Sequence, residues 1–111
     1  MITVGRGETK TINIHIKENG VDKDITDYKV MFTVKPADSE VSDDTDALIQ
    51  KDVTSHVDPI AGKTIISLSK TDTLLPPRNY VYDIKLENPG GTWVKYKSLD
   101  VFKVVGVVTN R

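Results

Sequence analysis

Apolar and polar residues alternate with period two along much of this chain, and no stretch repeats near the 3.6 residues that a helix requires. Residues 11–17 read Thr-Ile-Asn-Ile-His-Ile-Lys, which sends Ile12, Ile14 and Ile16 to one face and Asn13 and His15 to the other. That is the pattern of a half-buried antiparallel strand. Glu18-Asn19-Gly20 supplies turn chemistry, and residues 28–35 resume the alternation with Tyr28, Val30, Phe32 and Val34 inward, until Pro36 ends it. Residues 47–53 and 63–69 are strand-like, separated by Asp58-Pro59 and Ala61-Gly62. Residues 80–87 give the cleanest alternation, with the odd-numbered members outward, and Asn88-Pro89-Gly90-Gly91 then signals a hairpin. In the extended segment after it, Val94 and Tyr96 share a parity with Phe102 and Val104 while Leu99 and Val101 do not. The break predicts a bulge near residues 98–100.

Seven to eight short strands at fairly regular spacing predict an all-β fold, an immunoglobulin-like antiparallel β-sandwich forming one domain over residues 1–111. Between the strands, Ser69 and Asp72 have the spacing of a capping box and predict one helical turn, stopped by Pro76-Pro77. Leu74-x-Pro76 followed by Tyr80 at the start of a strand fits a tyrosine corner. In that motif the phenol bonds back to the backbone and fixes the crossover between sheets.

Composition narrows the classes of function. The 15 Lys+Arg against 16 Asp+Glu leave a net charge of −1, which lacks the basic footprint of a dedicated nucleic-acid binder. There is no cysteine, so disulfides and thiolate metal sites are excluded and the two sheets must be joined by packing. No apolar stretch approaches the roughly 20 residues that cross a bilayer, and no apolar leader opens the chain. The expectation is a protein made in a reducing cytosol, with no membrane and no nucleic-acid partner.

Candidate chemistry is sparse. Gly62-Lys63-Thr64 imitates the end of a phosphate-binding loop, but Val57 stands where its first glycine belongs and Ile65-Ile66-Ser67-Leu68 continues as a strand. It reads as a turn entering a strand. The stretch from Asp38 to Asp46 has no basic residue, and its Asp43, Asp44 and Asp46 have the oxygen density of a weak cation site. Without the glycine and the terminal glutamate of an EF-hand loop, the favoured reading is a solvated loop. His15 and His56 read as exposed polar residues, and no local nucleophile, base and acid suggest catalysis. The chain is read as a non-enzyme without cofactor or metal. The most promising surface is the outward face of the last hairpin, where Lys85 would lie opposite Trp93, Lys95 and Lys97, cations beside an indole that suit a protein or sugar partner; the competing and favoured reading is that Trp93 covers the end of the sandwich while the lysines solvate an edge. The run Val104-Val-Gly-Val-Val108 is a second candidate, a segment able to add a strand to a partner.

Taken together, Lys10-Thr-Ile-Asn-Ile-His-Ile-Lys-Glu-Asn-Gly20, Asp24-Ile-Thr-Asp-Tyr-Lys-Val-Met-Phe-Thr-Val-Lys35, Ala47-Leu-Ile-Gln-Lys-Asp-Val-Thr54, Ala61-Gly-Lys-Thr-Ile-Ile-Ser-Leu68, Asn79-Tyr-Val-Tyr-Asp-Ile-Lys-Leu86 and Phe102-Lys-Val-Val105 make the chain resemble the N-terminal domains of phage baseplate upper proteins from Gram-positive phages and prophages. The resemblance spans nearly the whole chain and implies a virion structural protein of tail or baseplate, not a catalyst. It brings no binding residue with it. The expected role is a docking module that meets other virion proteins or further copies of itself, made in the bacterial cytoplasm and carried in the virion. The alternatives are a module binding carbohydrate or the host surface through Trp93 and neighbouring tyrosines, and a head-decoration protein.

Overall fold

The computed structural model describes residues 1–38 and 46–107, with 93–99 represented by their backbone. Among the described residues all regular structure is strand: β1 Ile2–Gly5, β2 Lys10–His15, β3 Lys17–Glu18, β4 Val21–Asp22, β5 Lys29–Pro36, β6 Ile49–Val53, β7 Lys63–Leu68, β8 Arg78–Glu87 and β9 Trp93–Val105. They form a five-stranded sheet in the order β1-β9-β8-β5-β6, a pair β2-β7 and a small hairpin β3-β4. The β2-β7 pair covers one face of the larger sheet, and the fold is an all-β sandwich.

Alternation along the chain creates the interface between the layers. In β5 Val30, Phe32 and Val34 are fully buried, and in β8 Tyr80, Tyr82, Ile84 and Leu86 are buried while the residues between them are half-exposed. The β2-β7 pair contributes Ile14, Ile66 and Leu68 to the same core, and β9 contributes Phe102 and Val104. Burying one such aliphatic or aromatic side chain contributes about 1.5–3 kcal/mol. The seam between the sheets is therefore the main source of stability in a chain without disulfides.

β8 and β9 pair from Arg78↔Val104 to Tyr82↔Asp100 in one register and resume at Ile84↔Lys97, so β9 carries an extra residue at 98–99. This is the bulge that the parity break predicts. A second shift follows, since Lys85 pairs with Lys95 while its neighbour Ile84 pairs with Lys97. Beyond both insertions Phe102 and Val104 are buried in the core.

After β7 the expected helical turn is a plain hydrogen-bonded turn and not a helix, but its capping pair forms. Ser69 N–H donates to Asp72 Oδ2 at 2.7 Å and Asp72 N–H donates to Ser69 Oγ at 3.1 Å, a reciprocal capping box. Lys51 Nζ on β6 lies 2.8 Å from the same carboxylate. Burial works most strongly against ionisation of Asp72, but Lys51 and the Ser69 amide and hydroxyl together hold its carboxyl below the usual range.

Three features were not anticipated by the alternation. β1 is a strand and lies parallel to β9, with Ile2↔Phe102 and Val4↔Val104 in register, so the sandwich is antiparallel except at this edge. The valines at 104 and 105 are consumed by that pairing, which corrects the expectation that residues 104–108 offer a strand to a partner; Gly106 and Val107 follow the strand, and Val108 lies outside the described residues. Ile25, outside any strand, is fully buried, and its N–H donates to the Pro59 carbonyl at 2.9 Å.

Two outcomes are expected. A chain ending after Asp72 loses β8 and β9, strips one side of β5, and shows no cooperative thermal transition by circular dichroism, whereas residues 1–107 retain one. Asp72→Asn removes a charge whose folded pKa is depressed, so its stabilisation is present above the ordinary value of 3.8 and vanishes as pH falls through the folded one. Urea unfolding of parent and variant differs by about 0.5–1 kcal/mol at pH 6, and the difference shrinks as pH falls through the lowered folded value.

Candidate functional site

The registers bring three connections to one end of the sandwich. His15 at the end of β2 pairs with Lys63 at the start of β7, while Lys29 at the start of β5 pairs with Glu87, which pairs in turn with Trp93. Residues 16–28, 54–62 and 88–92 therefore emerge together, and the turn at 69–77 lies at the opposite end.

At the first end the two longer loops are bonded to each other. Ile16 N–H donates to the Gly62 carbonyl at 2.7 Å, and Lys23 N–H donates to the Ile16 carbonyl at 3.0 Å. Gly62 has φ +74, and a Cβ there would strike the carbonyl oxygens of Ile16 and Lys23, so this crossing requires glycine. This is the structural use of Gly62-Lys63-Thr64: the glycine ends a turn, Lys63 begins β7 and Thr64 is buried.

His56 corrects a second expectation. It is half-buried instead of exposed, with Nε2 2.7 Å from the Tyr28 carbonyl and Nδ1 2.8 Å from Thr64 Oγ1. Because a carbonyl only accepts, Nε2 carries the proton of that bond. The ring is a clamp between β7 and the entry to β5, which no local signal reveals since its partners stand 8 and 28 residues away. His15 meets Asp22 at 2.8 Å and closes the β3-β4 hairpin against β2. Lys23 Nζ is 2.8 Å from Glu18 and 5.3 Å from the Tyr28 ring centroid. The hydrogen bond from Lys23 holds the Glu18 carboxyl below its usual range.

At the opposite end Tyr80 Oη donates to the Pro76 carbonyl at 2.6 Å, and the Arg78 guanidinium lies 5.5 Å from the Tyr80 ring centroid. Burial raises the phenol pKa against the opposing influence of Arg78. Leu74 is 46% exposed, and it is Leu75 that packs against the core. Thr73, fully buried, donates its hydroxyl to the Glu8 carbonyl at 2.7 Å and ties this turn to the β1-β2 connection. An open groove of about 540 Å³ runs beside it, lined by Arg6, Pro76, Pro77, Gly106 and Val107.

The hairpin face is placed by backbone alone. Lys85 stands opposite Lys95 and Glu87 opposite Trp93, while the second register shift sets Lys97 opposite the buried Ile84 instead of continuing the row. The side chains of Trp93, Lys95 and Lys97 lie outside the described residues, as do Asp43 and Asp44. Asp46 is described, with Oδ1 3.9 Å from Lys35 Nζ, and no group of three His, Asp or Glu among the described residues is placed to hold a metal ion.

An all-β sandwich whose histidines, buried threonines and capping carboxylate hold strands and loops together belongs to the class of small structural modules. Comparison with known families gives that class its setting: residues 1–72 match the model of the BppU N-terminal domain. The chain belongs to this family, the N-terminal domain of the phage baseplate upper protein, and is a phage baseplate structural protein associated with other proteins of the virion tail. No curated protein matches it. The match ends inside the capped turn, yet β8 and β9 beyond it lie within the same sheet as β5.

Tyr80→Phe leaves the Pro76 carbonyl without its donor, and differential scanning fluorimetry together with urea unfolding is expected to show a loss of about 1 kcal/mol.

Proposed function

We propose that this domain is a docking module, an immunoglobulin-like sandwich that seats on neighbouring virion subunits in several copies. The observation that carries the reading is the family match over residues 1–72. Its topology is supported by β8 lying between β5 and β9 and by the Tyr80 bond at the start of β8, which together parallel the central strand and tyrosine corner of such folds. In this reading the Tyr80 bond locks the crossover into β8, while Leu74, the other residue of the expected corner, stays at the surface. The single domain covers residues 1–111 and folds without disulfides in the bacterial cytoplasm before joining the tail.

Docking contacts are assigned to the hairpin face of Lys85, Trp93 and Lys95, with Lys97 next to it beyond the register shift, an aromatic residue among cations that fits a protein surface. No cofactor or metal takes part, and neither nucleic acid nor membrane is a partner. The alternative is a glycan-binding role through Trp93 and neighbouring tyrosines, to which Tyr80 and Tyr82, enclosed in the core, would not contribute. The baseplate family likewise favours the tail over head decoration.

In phage carrying Trp93→Ala, the copies of this protein per purified virion, counted by quantitative mass spectrometry, are expected to fall about 30-fold, the effect of losing an anchor worth about 2 kcal/mol. The melting temperature of the isolated variant stays at the parental value. Parental protein found in lysates but never in purified virions overturns the docking role.

A further inference from the structure

Apart from the terminal Met1, the most exposed large apolar side chains of the described residues all stand on the bonded loops at the β5 entry: Ile60 at 73%, Val21 at 67% and Val57 at 66%. These loops are not free to fold them away. Val57 and Ile60 bracket Asp58 and Pro59; Asp58 exchanges backbone bonds with Lys63, and the Pro59 carbonyl receives the N–H groups of both Ile25 and Gly62. Val21 lies between the Asn19-Gly20 turn and Lys23, whose N–H is held by Ile16. His56 clamps the second loop from below through Tyr28 and Thr64. An apolar group held outward on a fixed backbone is prepaid for burial by a partner, because little further ordering is needed on contact.

Charge at this end departs from the chain as a whole. Residues 16–28 and 54–62 carry Glu18, Asp22, Asp24, Asp27 and Asp58 against Lys17 and Lys23, a balance of −3 within a chain of net −1. Lys23 is turned inward onto Glu18 and Tyr28. Asp24 is kept ionised by the hydroxyl and N–H of Thr26, both bonded to its Oδ1 and lowering its pKa. Apolar points among carboxylates call for a complementary surface with an apolar centre and a basic rim.

We propose that this loop end, continuous with the start of β9 at Trp93, is the face that meets another virion protein, and that the partner presents apolar side chains ringed by Lys or Arg. The inference rests on the docking role proposed above and adds to the hairpin face a second contact region, with the chemistry of the partner surface that meets it.

The test uses phage in which the gene encodes the full chain with Val57→Ser and Ile60→Ser together, with Asp58→Lys, or with Leu74→Ser at the opposite end as control. Copies per virion are expected to fall at least about tenfold in the first two and to stay at the parental level in the third. Melting temperatures of the purified proteins establish folding. A photo-crosslinking residue at position 60 gives a readout independent of stability: it is expected to join a peptide of a different virion protein containing Lys or Arg beside apolar residues. Crosslinks to a second copy of this chain, to an acidic peptide, or to nothing in particles that contain the protein overturn the proposal. So does parental incorporation of the folded double variant. Parental protein absent from virions removes the docking role itself, whereas parental protein present with an indifferent loop end removes only this location.

Discussion

Phe32 lies at the seam between the two sheets, its ring centroid 5.5 Å from that of Tyr82 and 6.3 Å from that of Phe102. These three residues come from β5, β8 and β9, adjacent strands of one sheet, and Ile14, Ile66 and Leu68 of the β2-β7 pair belong to the same core. With no cysteine in the chain, side-chain packing across this seam is what holds the layers together. The constraint reaches outward, because a loop at the sandwich end is only as well placed as the strands from which it leaves.

Polar residues inside or beside the core are used for the same purpose. Thr64 engages His56, Thr73 engages the backbone at Glu8, and Asp72 engages Ser69 and Lys51. A buried polar group left without a partner costs free energy, so each of these pairings fixes a connection that the apolar seam cannot reach. The groups that suggested chemistry in isolation, a histidine and a glycine-lysine-threonine run, are thereby committed to architecture. That use is in keeping with a structural protein of the baseplate.

Much of the sandwich was legible from local periodicity. Val30, Phe32 and Val34, and the even-numbered members of 80–87, are buried as the alternation requires, since a strand's side-chain period does not depend on its partner. The Ser69–Asp72 box and the bulge in β9 were legible for a similar reason, being written in residues close together. The proposed docking site was much less so. Composition and the hairpin pattern brought out Lys85, Trp93, Lys95 and Lys97, but a row of one parity does not foresee a second register shift between Lys95 and Lys97. Nothing in the neighbours of Val57 and Ile60 shows that a loop 30 or more residues earlier holds their backbone in place.

The sequence by itself determined the class of fold, the inward faces of the main strands, the capped turn and the family resemblance, because each depends on spacing within a few residues. Only the tertiary structure decided that Ile2–Gly5 runs parallel to β9, that Ile25 and Leu75 pack inward while Leu74 does not, and that His56 clamps Tyr28 to Thr64. Those outcomes are set by hydrogen bonds and packing between distant segments. Local alternation specifies which face of a strand is apolar; it carries no information about which distant carbonyl or neighbouring strand will meet it.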